Sequence, residues 1–248
     1  MDNRFYPRLS IGIIILFAVI RLIFAATHTV SGDACWHLSA ARFIATENKI
    51  PLFEGIGRLE PFWAPPLFHF AAAFFYKVFF PVNAGLADFS MKFISPIFGT
   101  LTVMLLYLIS RKHFNEKIAF YAMLFINFIP VFMDYSVLSY VESITAFFSV
   151  LSVYFMLKNR HLLSSLSLGL ALLSKYHAVF MYPMLLYLAY KLNKNSKDLR
   201  KKLLIVVIVP LLISSVWFLR NFLLLGNPIW PFFNEYSMAT RGEPYSRK

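Results

Sequence analysis

Eight apolar segments recur along this chain, at residues 9–27, 66–80, 89–110, 118–133, 138–157, 162–174, 177–190 and 203–222. They restrict the fold severely. In lipid every backbone N–H and C=O must be satisfied within the protein, which open strands cannot do, so all eight segments read as helices. Composition agrees: 59% of residues are hydrophobic, 15% are charged and the mean hydropathy is +0.64, outside the range of soluble domains. The predicted fold is an all-α polytopic membrane bundle. No repeat or low-complexity tract interrupts it, and no separate soluble domain fits.

A net charge of +12 would point to nucleic acid in a soluble protein. Here the excess sits in short links between apolar segments, where it reads as topology, so nucleic acid is excluded as a partner. The segment 66–80 decides the arrangement. If it does not cross, the links 1–8, 111–117, 158–161 and 191–202 share the inside and carry 13 of the 24 Lys and Arg. If it crosses, three of those basic links face outward, against the positive-inside tendency. The segment is short, begins at Pro65-Pro66 and contains Lys77, so it reads as a re-entrant or interfacial helix.

About seven transmembrane helices follow, with the N-terminus cytoplasmic and the C-terminus outside. The run from Leu9 reads as an uncleaved anchor of about the 17 to 25 residues that one crossing needs. Residues 1–225 form the transmembrane unit, with a first outer loop at about 28–88. Residues 226–248 read as an outer tail, the expected start of a further C-terminal region. Cys35 is the only cysteine, so no intrachain disulfide can form and no cysteine-based metal site is available.

The polar stretch from His28 to Leu67 carries Asp33, Trp36, His37, Arg42, Glu47, Glu54, Arg58 and Glu60. A loop so polar beside the first apolar segment is a place for chemistry. Further along, Ser174-Lys175-Tyr176-His177 separates apolar runs of 13 and 14 residues. At about 1.5 Å per residue each run covers roughly 20 Å of a hydrocarbon core about 30 Å thick, which places Lys175 below the outer surface in a polar cavity. Asp33, the stretch from Asp134 to Glu142, Lys175 and Arg220 then define an outward-facing site. Carboxylates serve as bases toward a hydroxyl, and Lys and Arg neutralise a phosphate leaving group. Together they suggest group transfer from a phospholipid.

The order of "SGDACWHLSAARFI", "PFWAPPLFHFAAAFFYKVF", "MKFISPIFGTLTVMLLYLISRKHF", "YSVLSYVESITAFF", "GLALLSKYHAVFMYPMLL" and "RNFLLLGNPIWPFF" resembles the GT-C fold membrane glycosyltransferases. Within that superfamily it is similar to the protein O-mannosyltransferase-like and lipid A aminoarabinose transferase-like enzymes. The resemblance covers nearly the whole chain. It implies a sugar donor on a polyprenyl or dolichyl phosphate and a protein, lipid or glycan acceptor. It also implies inversion at the anomeric carbon and an extracytoplasmic active face, in a prokaryotic plasma membrane.

By the same resemblance Asp33 is the catalytic base or acceptor-orienting acid, and Glu142 is a second acidic site residue. Ala34 stands where the family often has another acid. Lys92, Lys175 and Arg220 are the donor-phosphate ligands, Lys92 replacing an Arg of many relatives and keeping charge without the bidentate fork. Trp36, His37, Arg42, Tyr176 and Asn221 are candidate substrate contacts. No cofactor is indicated, and a divalent metal stays an open option.

Each residue also has a structural reading. Asp33 after Ser31-Gly32 suits a helix N-cap. Glu142 suits the electrostatics of a helix N-terminus, and Asp134 suits a turn. His37 and His69 are far apart in sequence with no third ligand spaced for metal, and suit a polar core. Trp36, Trp63 and Trp230 fit an interfacial belt as well as a sugar platform. Arg220 suits snorkelling. The basic run Lys191 to Lys202 suits an inside-facing cluster, with anionic lipid as a secondary contact. The alternative to an enzyme is a non-catalytic membrane subunit or lipid-binding module with the same fold, and a transporter would require internal repeats that the sequence lacks.

Overall fold

The computed structural model describes residues 5–56 and 60–233. Arg58 and residues 234–248 of the expected tail lie outside the described residues. Helices follow in the order α1 (Phe5–Thr27), α2 (Asp33–Glu47), α3 (Leu67–Phe79), α4 (Ala84–Ser90), α5 (Ile94–His113), α6 (Glu116–Asn127), α7 (Pro130–Tyr135), α8 (Glu142–Leu157), α9 (His161–Leu172), α10 (Tyr182–Asn193) and α11 (Leu199–Leu225). A 3-10 turn at Met91–Phe93 joins α4 to α5, and another at Tyr176–Met181 leads into α10. Among the described residues the only β pairing is an isolated bridge between Phe53 and Pro61.

The polarity of α1 is inverted relative to a soluble helix. Its buried residues are Ser10, Phe17, Arg21 and Ala25, while Ile11, Ile15, Leu16, Val19, Ile23 and Phe24 face outward. Apolar surface on the outside and small or polar groups on the inside are what a lipid solvent selects. The chain is an integral membrane protein. α1, the continuous run Ala84–His113 and α11 are each long and apolar enough to cross a bilayer unaided.

α5 packs on α6 and α8, α8 on α9, and α9 on α11, with α1 against α5 and α6. At the α9–α11 crossing a Cβ on Gly169 would lie 2.8 Å from Ile213 side-chain atoms, so the absence of a side chain sets how closely these helices approach. α3 packs chiefly on α2 and α4, and its core extends to Ile94 of α5 and Ile144 of α8. Its core is Phe68, Ala72, Ala73 and Tyr76 against Leu38, Ala41 and Ile44 of α2 and Ala87 of α4. The three helices thus form a layer beside the bundle end where the cavity described below opens.

Two segments expected as single helices are broken. Residues 118–133 divide into α6 and α7 at Phe128-Ile129, because Pro130 cannot continue a helix and instead opens the next one. Residues 177–190 divide into the 3-10 turn and α10, where Pro183 occupies the first α-helical turn.

Inside the first apolar segment lies one cation, Arg21, which the surrounding hydropathy conceals. Arg21 is 1% exposed, and it donates from Nε to Ser136 Oγ at 2.8 Å and from Nη2 to Asn127 Oδ1 at 2.5 Å. Phe132 covers its guanidinium at 5.5 Å. A cation inside a membrane helix persists only with such partners. It ties α1 to the end of α6 at Asn127 and to the end of α7 at Ser136, where Gly99 of α5 also lets the chain pass within van der Waals reach.

Candidate active site

Three helix termini meet at one end of the bundle. Gly32, at φ 55, turns the chain into α2 and sets Asp33 in its first turn, since a left-handed backbone at that position favours glycine. Val141 leads into α8 and sets Glu142 in its first turn. Both carboxylates therefore lie at positive helix ends, where anions are stabilised. α9 stops at Leu172, and Lys175 sits in extended conformation before the 3-10 turn, so the sequence break at Ser174-Lys175 is a real interruption of the helix.

These termini surround a cavity of about 660 Å³, lined among others by Asp33, Trp36, His37, Glu142, Lys175 and Tyr176. Lys175 Nζ lies 2.6 Å from Glu142 Oε1, with about a third of each side chain exposed. Asp33 is exposed, and its carboxylate makes no hydrogen bond or ion pair with any described side chain or backbone group. The capping reading of Asp33 is therefore corrected: Gly32 is the N-cap and no side-chain cap bond forms there. Burial, then Asp33, Tyr135 and Glu142, raise the Tyr140 hydroxyl above its ordinary pKa, which marks Asp33 as an electrostatic neighbour of Tyr140 on the cavity wall.

His37 and His69 come together. His37 Nδ1 lies 3.0 Å from His69 Nε2, with 8% and 0% exposure. Burial first, and then the Lys175 ammonium, push the His37 imidazole down to about 4. Two neutral rings sharing one hydrogen then form a polar core element that sequence distance concealed. Trp36 stacks on Phe62 with centroids 5.2 Å apart and reaches His37 edge-on at 4.9 Å. Among the described residues no three His, Cys, Asp or Glu side chains converge in a way that could hold a metal ion.

Four of the expected residues stand behind or away from the cavity. Arg220 is a clamp: Nη1 donates to Phe62 O at 2.8 Å and to Asn221 Oδ1 at 2.9 Å, Nη2 donates to Pro51 O at 3.0 Å, and the guanidinium covers Trp217 at 4.6 Å. Its two carbonyl partners are the two ends of a loop that Glu54 N to Glu60 O and Phe62 N to Leu52 O close internally. That loop supplies Glu54 and Glu60 to the cavity wall, and Trp63 follows it.

Asn221 is fully buried and donates to the Tyr176 hydroxyl at 3.1 Å, alongside Trp217 Nε1 at 2.9 Å. Tyr176 in turn lies within donating distance of Trp63 O and Trp230 O, so its ring is held on the cavity wall from several sides. Lys92 donates to Ala26 O at 3.0 Å and His28 O at 2.7 Å, satisfying carbonyls at the end of α1. Arg42 pairs with Asp88 at 3.3 Å on an exposed surface. Lys92, Arg220 and Arg42 do not line this cavity: among the described residues their donors go to backbone carbonyls, to the Asn221 side chain, or to Asp88.

An apolar groove of about 440 Å³ adjoins the cavity and shares Tyr176, His177 and Phe232 with it. Leu172, Val179, Phe180, Leu211 and Phe218 continue it along the bundle. A polar chamber thus meets an apolar channel at the Tyr176 turn.

The profile of the dolichyl-phosphate-mannose-protein mannosyltransferase family matches residues 64–219. The chain belongs to this family. The match takes in Glu142, Lys175 and Tyr176, and it begins after Asp33 and ends before Arg220. The fold of the family member is that of the GT-C membrane glycosyltransferases. The crystal structure of ArnT from Cupriavidus metallidurans bound to undecaprenyl phosphate superposes with a TM-score of 0.69 at 19% identity, over 95% of this chain and 45% of that one. An uncharacterized protein of Aquifex aeolicus (strain VF5) is 29% identical over 149 residues, which is 59% of this chain and 34% of the relative. The chain therefore spans less than half the length of either.

Proposed function

We propose that this chain is a glycosyltransferase that moves a sugar from a polyprenyl-phosphate-linked donor to a hydroxyl of a protein, lipid or glycan acceptor on the extracytoplasmic side. One observation carries the reading: Asp33, a carboxylate with no partner among the described residues, and Lys175, an ammonium, line the same polar cavity at the mouth of an apolar groove. A lipid-linked sugar phosphate has that division. Its isoprenoid chain fits the groove, its phosphate meets Lys175, and its sugar occupies the chamber. The undecaprenyl phosphate held by the ArnT neighbour supports a ligand of this class.

In this reading Asp33 accepts the proton of the acceptor hydroxyl as its oxygen bonds to the anomeric carbon. The bond from that carbon to the phosphate oxygen breaks, the anomeric centre inverts, and polyprenyl phosphate leaves. Lys175 offsets the charge that builds on the phosphate. Before donor binds, Glu142 holds this ammonium at 2.6 Å. A phosphate must share Lys175 with Glu142 or replace it, so the pair sets how strongly the donor is held. Trp36 and Tyr176 supply aromatic faces toward the sugar, and Asn221 acts on Tyr176 from behind as a positioning residue.

The test is transfer of radiolabelled sugar from polyprenyl-phosphate donors in membranes containing the protein, compared with membranes carrying Lys175→Met. Label in an acceptor that depends on Lys175 supports the proposal. Tight polyprenyl-phosphate binding without transfer from any donor overturns it in favour of a lipid-binding subunit.

A further inference from the structure

The end of the bundle opposite the candidate active site carries a second cavity. It measures about 500 Å³ and lies between the start of α9 and the start of α11. Arg160, Lys201 and Lys202 line it, with Asp198 as the one carboxylate, so it has a surplus of positive charge. Leu162, Leu163 and Ile205 complete the wall, and Leu162 is 54% exposed.

A solvated lysine cluster would satisfy the positive-inside tendency without further structure. This pocket is more organised than that. Asn193 is 4% exposed, and its Nδ2 donates to Ala189 O at 2.9 Å and to His161 Nε2 at 3.0 Å. Its Oδ1 accepts from Lys202 Nζ at 2.7 Å. Every hydrogen-bonding position of that amide but one lone pair is thus used, and the result is a lysine ammonium held at the pocket wall from a buried support. Arg160 and Lys201 are exposed and make no side-chain hydrogen bond or ion pair with any described residue.

We propose that this pocket binds the phosphate headgroup of an anionic phospholipid. Charge complementarity selects an anion, and the fixed Lys202 with free Arg160 and Lys201 matches a phosphate diester. The exposed Leu162 and Leu163 beside it match the first carbons of acyl chains. The proposal is independent of the sugar-transfer reading, because no residue of this pocket belongs to the active-site cavity.

The test places the purified full chain in phosphatidylcholine nanodiscs containing a minor fraction of phosphatidylglycerol and reads retained lipid by native mass spectrometry after transfer to detergent. Wild type is expected to retain phosphatidylglycerol selectively. Arg160→Gln with Lys201→Gln is expected to weaken retention about 30-fold, the equivalent of about 2 kcal/mol for two basic residues. Lys194→Gln with Lys197→Gln removes the same two charges from exposed positions outside the pocket and is expected to leave retention unchanged. Equal loss in both double variants would overturn the proposal in favour of diffuse attraction. Full displacement by inorganic phosphate would overturn it in favour of a free anion. Melting temperatures of the variants verify that the exposed substitutions leave the fold intact.

Discussion

Replacing Arg220 by Met separates a loop clamp from a phosphate ligand. The guanidinium holds Pro51 O and Phe62 O, at 3.0 and 2.8 Å, and so fastens both ends of the loop between them. A hydrogen bond from a charged donor contributes about 1.5 to 3 kcal/mol, and the freed carbonyls at this half-exposed loop regain some water, so the lower end applies to each. Losing both costs about 3 kcal/mol of local stability, which at 1.4 kcal/mol per decade is a rise of about 100-fold in loop opening. Arg220→Lys keeps charge but one donor direction, and is expected to give about tenfold. Hydrogen exchange at the Glu54 and Phe62 amides reads this directly, because both are bonded inside the loop. Unchanged exchange in Arg220→Met, with only a raised KM for donor, would refute the clamp and restore the phosphate role that the family resemblance implied.

Other outcomes follow from the same geometry. The folded His37 pKa of about 4 lies below the ordinary 6.5, so its contribution is complete above pH 6.5 and is lost as pH falls toward 4, by roughly 3 kcal/mol in all. Melting midpoints against pH should show that decline in wild type and a flatter curve in His37→Gln; parallel curves would contradict it. Gly169→Ala gains up to about 1 kcal/mol of helix propensity, but its Cβ would sit 2.8 Å from Ile213, an overlap costing about 1 to 3 kcal/mol, so a lowered melting temperature is expected. Because the Lys175–Glu142 pair is a third exposed, Lys175→Met should change stability by less than about 1 kcal/mol while raising donor KM; a large loss of stability would make the pair structural.

The fold was legible in the sequence where signals are local. Apolar run lengths and the Ser174-Lys175 interruption located the α9 terminus and the cavity lysine, and Ser31-Gly32-Asp33 located the start of α2. Asp33, Glu142, Lys175 and Tyr176 do share one cavity, as their positions near turns at the same end of the bundle suggested. The placements that the sequence does not show are those of residues whose partners are backbone atoms. Nothing in sequence says that Lys92 will end on carbonyls of Ala26 and His28, or Arg220 on those of Pro51 and Phe62, because a carbonyl has no residue identity. The His37–His69 contact was hidden similarly: 32 residues separate two rings that the α2–α3 packing joins. Arg21 was missed because its neighbours average to an apolar segment, although a lone cation in such a segment was itself the signal.

Asp33→Asn tests the central claim most directly, because it removes the base while leaving size and helix position unchanged. Measured with purified full chain, polyprenyl-phosphate binding is expected to stay at the wild-type level, since the proposed phosphate ligand is Lys175. Sugar transfer is expected to fall by about 10² to 10⁴-fold, the range of a positioned general base. Transfer at the wild-type rate in Asp33→Asn would contradict the account.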